Sequence, residues 1–373
     1  MMANRSMVAM LVAALGIACA GSGMSASHAM THPGLERAEG LPAESAPRAS
    51  ARPWWLAFES ETLNTLVAEA ARSPASTAST ASAGRLDAPA AEIGVSAAYV
   101  GLLVQTLSLT YIDSARAAAR RQSQLIAVSP ALLGDFSKEL KHREAEATAS
   151  IKKIDTQRGA QLAFLAARSR LPEERLQKAI DDEVAARKQP RFALPAPEAL
   201  PAVLLANRDD IQLAAALYGI DPHTRLDGTI DAAGDAGESD QESGAEDLPG
   251  YPLFPDAVAQ GRAEVAGALR KLQAMSAAVV EANRHVREAK ALFEQSKTRM
   301  SRGEMSEVQV LEDYQGLMLD LQRLTVSNGN LAIAWIALMA SLGSRTPLVL
   351  QAPQVPGTAA LRARPRMVGA FSF

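Results

Sequence analysis

The chain has 373 residues, a formal net charge of −3, and 48% hydrophobic but only 4% aromatic residues. It lacks the basic excess of a nucleic-acid binder. The lone cysteine, Cys19, excludes disulfides within the chain and cysteine-based metal clusters. Roughly one residue in five is alanine, the best helix former and a small core residue, so the composition predicts long, closely packed helices.

Residues 1–20 read as a signal peptide. Arg5 precedes an apolar run over 7–20, and small residues follow. The run is too short to span a bilayer as a helix. Leu15-Gly16-Ile17-Ala18-Cys19 resembles a bacterial lipobox, with Gly16 where leucine is usual. Lipidation of Cys19 and ordinary cleavage after Ala20 or Ala29 are the two readings. Residues 21–52, rich in Gly, Ser, Ala and Pro, are expected to be a flexible tether.

A first helical repeat is expected over 53–217. Trp54, Trp55 and Phe58 open it, and Leu63, Leu66, Val67 and Ala70 follow at helical spacing. Residues 73–92 are low-complexity and show no period. A helix is predicted from Gly94 to about Val128, with Val95, Tyr99, Leu102, Leu103, Thr106 and Leu109 on one side and a break at Ser129-Pro130. A second covers about 131–170. Pro172-Glu173-Glu174 starts a third, with proline at the first position and acids in the first turn. Pro190, Pro195, Pro197 and Pro201 mark an extended connector, and a short helix follows over about 204–217. Residues 218–255 form an acidic loop without EF-hand spacing, read as solvated surface. Its strand stubs are 224–230 and 251–254.

A second repeat over 256–343 carries the clearest pattern. Val258, Val265, Leu272, Val279, Val286, Phe293 and Met300 recur every seventh residue. Gly261, Ala268, Met275, Ala282, Ala289 and Ser296, mostly small, sit three positions on. This large/small heptad predicts a coiled-coil seam with close backbones, in a helix about 70 Å long. After Arg302-Gly303, Val310, Leu317, Leu324, Leu331 and Leu338 repeat every seventh residue, which predicts an antiparallel hairpin. Residues 344–373 are a C-terminal tail.

Several stretches resemble the TolC-like outer-membrane factor family, the channels of tripartite efflux pumps, in its lipoprotein branch. Trp55, Phe58, Leu63, Leu66 and Ala70 are similar to the family's opening pattern. Leu200-Pro201-Ala202-Val203-Leu204-Leu205-Ala206-Asn207-Arg208-Asp209-Asp210-Ile211 resembles its inter-repeat motif, with Asp209 in place of proline. Glu264-Val265 with Ala268-Leu269 resembles a segment of the second repeat. Arg299, Gly303, Ser306, Val310 and Leu311 match the spacing of the periplasmic helix-tip motif. The chain is read as a shortened, divergent member.

The resemblance implies a homotrimer whose paired helices form a hollow α-barrel, in the outer membrane and facing the periplasm. It implies a passive export duct for drugs or other small solutes, with a periplasmic adaptor protein and an inner-membrane pump as partners. The strand stubs fall well short of membrane strands of about 9–11 residues. The expected fold is therefore mainly α: long antiparallel coiled-coil hairpins of α-barrel type, with the β-barrel strands largely missing. A periplasmic coiled-coil tether or assembly protein that has lost its pore is the alternative.

No phosphate loop, nucleophile elbow or metal-ligand spacing is present, the five histidines included. No catalytic, cofactor-binding or metal site is expected. The resemblance assigns an adaptor-docking tip to Arg299, Arg302, Gly303, Ser306, Val310 and Leu311, and an acidic aperture to Glu304, Glu307 and Asp313. On the residues alone, Gly303 ends a helix, Ser306 caps the next, and the acids favour its N-terminal dipole.

Overall fold

The computed structural model describes residues 53–72, 83–127, 135–233 and 253–343. Cys19, the signal segment, the tether, residues 234–252 and the tail from Ser344 lie outside them. The helices are α1 (Glu61–Arg72), α2 (Ala83–Ala127), α3 (Asp135–Ser169), α4 (Glu173–Ala185), α5 (Asp209–Tyr218), α6 (Leu253–Ser301) and α7 (Glu307–Ser341). Two strands, β1 (Ala199–Pro201) and β2 (Thr229–Asp231), pair antiparallel with Leu200 opposite Ile230. No β-barrel is present among the described residues.

The four long helices form an open row. α6 packs on α7, α7 on α2, and α2 on α3. The outer pair, α3 and α6, shares no comparable packing. Burial explains this order. On α7 no residue from Asp313 to Ser341 is exposed, and on α2 none from Ala91 to Leu109. A helix covered all round must be flanked on both sides. The outer helices instead have one long neighbour each. Between 273 and 300, α6 buries only Ala282, Phe293 and Ser296. By length and composition, Ala91–Ala127 and Glu307–Ser341 could each cross a membrane. They are the two inner helices, and just over half of each apolar stretch is buried inside the protein.

The heptad on α6 reads out unevenly along its length. Val258, Val265 and Leu272 are buried, Val279 and Val286 half-buried, Phe293 buried again, and Met300 is exposed at the tip. The α2–α7 seam is tight at Gly329. A Cβ there would lie 2.3 Å from Val104 Cγ2. Valine is stiff at χ1 and cannot swing away cheaply. Gly329→Ala should therefore cost about 1–2 kcal/mol of overpacking even after the helix-propensity gain of about 1 kcal/mol. Urea unfolding checks this: G329A should be less stable than the wild type, and G329A/V104A more stable than G329A alone.

Several local expectations shift. α2 begins at Ala83 rather than Gly94 and includes Gly84 and Pro89, residues that helix propensity disfavours. The helix expected over about 204–217 is two elements, a 3₁₀ turn at Ala202–Asn207 and then α5 from Asp209. Asp209 takes the first helical position, where its charge suits the dipole. The stub over 224–230 shrinks to Thr229–Asp231, because Asp221 and Pro222 shape a 3₁₀ turn at Pro222–Thr224 first. Its partner strand, Ala199–Pro201, comes from the proline-rich connector. Leu253 and Phe254, read as part of a strand stub, open α6, with Pro255 and Asp256 in the first turn and Phe254 fully buried.

Three side-chain clusters fix the packing, the second within the first repeat and the other two between the repeats. The first is aromatic. Phe58 packs edge-on to Phe192, and Phe192 stacks on Trp335 at 4.3 Å between ring centroids. The second is polar. Ser60 caps α1 by accepting from the Leu63 amide, and its hydroxyl donates to Glu183 on α4 at 3.1 Å. Thr62 donates to the same carboxylate at 2.9 Å, and so does the Tyr99 hydroxyl from α2. Burial, then the charge of Glu183, pushes the Tyr99 hydroxyl well above its ordinary pKa. The third centres on Arg208, whose side chain is only 11% exposed. It donates to Asp210 and Glu264 at 2.7 Å each and to the Ser341 carbonyl at 2.8 Å. The inter-repeat segment is thereby tied to both α6 and the C-terminal end of α7.

Candidate functional site

The tip residues come together between α6 and α7, over five residues of connection. Gly303 has φ +74°, the left-handed region where a side chain is strained. Its amide donates to the Met300 carbonyl, and the Glu304 amide donates to the Arg299 carbonyl, both at 2.9 Å. This is the Schellman arrangement, which satisfies the last free carbonyls of α6. Ser306 then caps α7. Its hydroxyl accepts from the Gln309 amide, and the Gln309 side chain accepts from the Ser306 amide at 3.1 Å. Such a capping box is worth about 1 kcal/mol. Val310 is buried and Leu311 half-buried, so they hold the hairpin closed from inside. Arg299 and Arg302 are exposed.

The three aperture acids are each engaged within this chain. Glu304 lies 3.7 Å from Arg299. Asp313 is half-buried and accepts from Ser296 across the hairpin. Glu307 pairs with Arg121 of α2 at 3.0 Å. That last pair belongs to a link the residue patterns did not disclose. Gln122, fully buried on α2, donates to the Val308 carbonyl at 2.7 Å and accepts from Gln315 at 2.5 Å. On the other side of α2, Arg120 pairs with Glu144 of α3 at 2.5 Å. The C-terminal end of α2 therefore joins the α6/α7 tip to α3.

Arg120, Arg121 and Gln122 sit in an ordinary polar stretch with no motif. Arg208 lay inside a recognised motif, but its ion pairs with Asp210 and Glu264 depend on the fold. Burial acts first against the charged form of Asp210, yet the hydrogen bond and charge of Arg208 prevail and hold its carboxyl below the usual range.

No protein-family model and no curated protein matches the sequence. Solved structures do match in shape. CusC, described for the conformational changes accompanying folding and transmembrane channel formation, aligns at TM-score 0.56 and 14% identity, over 78% of this chain and 99% of that one. The outer-membrane channel CmeC of Campylobacter jejuni aligns at TM-score 0.50 and 13% identity, over 83% and 91%. The chain has the fold of the TolC-like outer-membrane channels, as the motif resemblance implied.

Proposed function

We propose that this protein is the outer-membrane channel component of a tripartite efflux system, a passive duct for drugs or other small solutes that performs no chemistry. The open row α6–α7–α2–α3, in a fold shared with the channel proteins CusC and CmeC, carries this reading. A row one helix thick, whose edge helices each have a single long neighbour, suits one section of a wall completed by further copies. The reading includes a homotrimer, a signal peptide, a lipid on Cys19, and a position in the outer membrane facing the periplasm. A periplasmic adaptor docks on Arg299, Arg302 and the neighbouring tip, and an inner-membrane pump drives export. Glu304, Glu307 and Asp313 line the aperture if their present partners release them.

Arg302→Glu tests the docking role. An exposed arginine at a turn contributes little to stability, so helicity should be unchanged. Adaptor crosslinking and drug resistance should be abolished. Normal resistance in a strain whose sole outer-membrane factor is the Arg302→Glu protein refutes docking at this tip.

One observation favours the second reading, a periplasmic coiled-coil tether or assembly protein without a pore. Only ten residues, 73–82, separate α1 from α2. Two bilayer-crossing strands need about 18–22 residues before any turn. Planar-bilayer recordings separate the two: stepwise conductance from purified protein supports the channel, and persistent silence supports the tether.

A further inference from the structure

Helix α3 is held unevenly along its length. From Arg158 onward it is well anchored. Arg158 donates to Gln177 of α4 at 3.0 Å, and Leu165 and Ser169 are buried. The Gln161 amide lies against Gly101 of α2, where a Cβ would sit 2.5 Å from its Nε2. The short helices α1 and α4 also pack on α3. Ahead of Arg158 the hold is weak. No residue from 141 to 153 is buried, and over 138–157 the buried residues are Leu140 and Ile154. Among the described residues, one ion pair ties 141–157 to another element, Arg120 with Glu144, whose side chains are 53% and 34% exposed. A pair so open to water contributes little.

The seam beneath this stretch is polar. Gly101 meets Gln161 and Arg120 meets Glu144, a register that sets Gln105 of α2 level with Gln157. The side-chain oxygens of Gln105, Gln157 and Gln161 are buried, and none has a hydrogen-bond partner in the chain. Buried acceptors without donors carry a desolvation cost that access to water returns. Opening this part of the seam therefore sacrifices little apolar burial and relieves orphaned oxygens.

Gly159 lies where the two regimes meet. It is exposed inside α3, and a Cβ there would have nothing within 4 Å, so no close approach requires glycine. Glycine still weakens a helix interior about fivefold relative to alanine. Such a residue, at the point where anchoring begins, is a place for the helix to bend. We infer that α3 is a hinged arm: residues 138–157 lift from α2 about Gly159, while the part beyond stays docked on α4. The arm is independent of whether the protein serves as a duct or as a tether.

Buried thiols read the opening in the full chain, with Cys19 replaced by serine. Ser108 lies two helical turns along α2 from Gly101, shares its side and is fully buried. Ser96 is equally buried and lies level with the anchored end of α3. Ser108→Cys should react with a maleimide at least about tenfold faster than Ser96→Cys, since a local opening is more frequent than global unfolding. Adding Gly159→Ala should slow labelling of Ser108→Cys about fivefold and leave Ser96→Cys unchanged. Leu140→Ala removes one of the two apolar plugs and should speed Ser108→Cys alone. Equal rates for the two thiols overturn the arm, because both then wait for global unfolding. Labelling of Ser108→Cys that ignores Gly159→Ala overturns the hinge. Equal slowing of both thiols by Gly159→Ala overturns it too, because the glycine then acts on the stability of the whole chain.

Discussion

Trp335→Ala should lower the unfolding free energy by about 3–5 kcal/mol, the largest loss expected from a single substitution in this chain. Trp335 is 1% exposed and stacks on Phe192, which in turn meets Phe58. The substitution leaves a cavity where α7, the 186–201 connector and the turn before α1 converge. It also removes an aromatic pair worth about 0.5–1.5 kcal/mol beyond its buried area. Trp335→Phe keeps a ring against Phe192 and should lose less than half as much. Urea midpoints measured in detergent check both. Equal losses for the two variants would show that the stack contributes nothing specific.

Arg208→Ala should cost about 2–3 kcal/mol, and the cost should depend on pH. Removing one member of a buried ion-pair network typically costs about 3–5 kcal/mol. Asp210 and Glu264 are nearly half-exposed here, so water compensates part of the loss. The substitution also strips the Ser341 carbonyl at the end of α7 of its donor. Asp210 has a depressed pKa in the folded protein. Its contribution is therefore complete above the unfolded carboxylate value of about 4 and is lost as pH falls through the folded value. The gap between wild type and Arg208→Ala should be level from about pH 5 to 8 and narrow below about pH 4. A gap that widens on acidification would contradict the Asp210 assignment.

Periodicity made the long helices legible, because a seven-residue repeat over α6 and α7 has one economical explanation. It also located the reversal at Gly303 and the cap at Ser306, where local chemistry alone determines the geometry. It failed where no period exists. Residues 83–92 are helical without any apolar stripe to read, and Gly84 and Pro89 within them argue locally against a helix. β2 lay at the end of the stub read over 224–230, but β1 was hidden because its pairing joins Leu200 to Ile230, a match that the proline-rich connector does not announce alone. The tip was half legible. Its own turn was readable, but Arg121 and Gln122 reach it from α2, 186 residues away in sequence. The order of helices in the row likewise came only from burial, since heptads show which face is apolar but not how many neighbours share it.

The α2–α7 seam also sets the order in which this molecule must fold. Each hairpin closes over a short connection, and local closure is fast. The seam instead unites residues far apart in sequence, such as Gln122 with Val308 and Gln315, and Val104 with Gly329. It must therefore form after both hairpins. Until it does, α2 and α7 each present an uncovered apolar face to solvent, an aggregation-prone intermediate of the kind that chaperones bind. Slow, concentration-sensitive refolding should be a property of the whole chain and be absent from either hairpin alone.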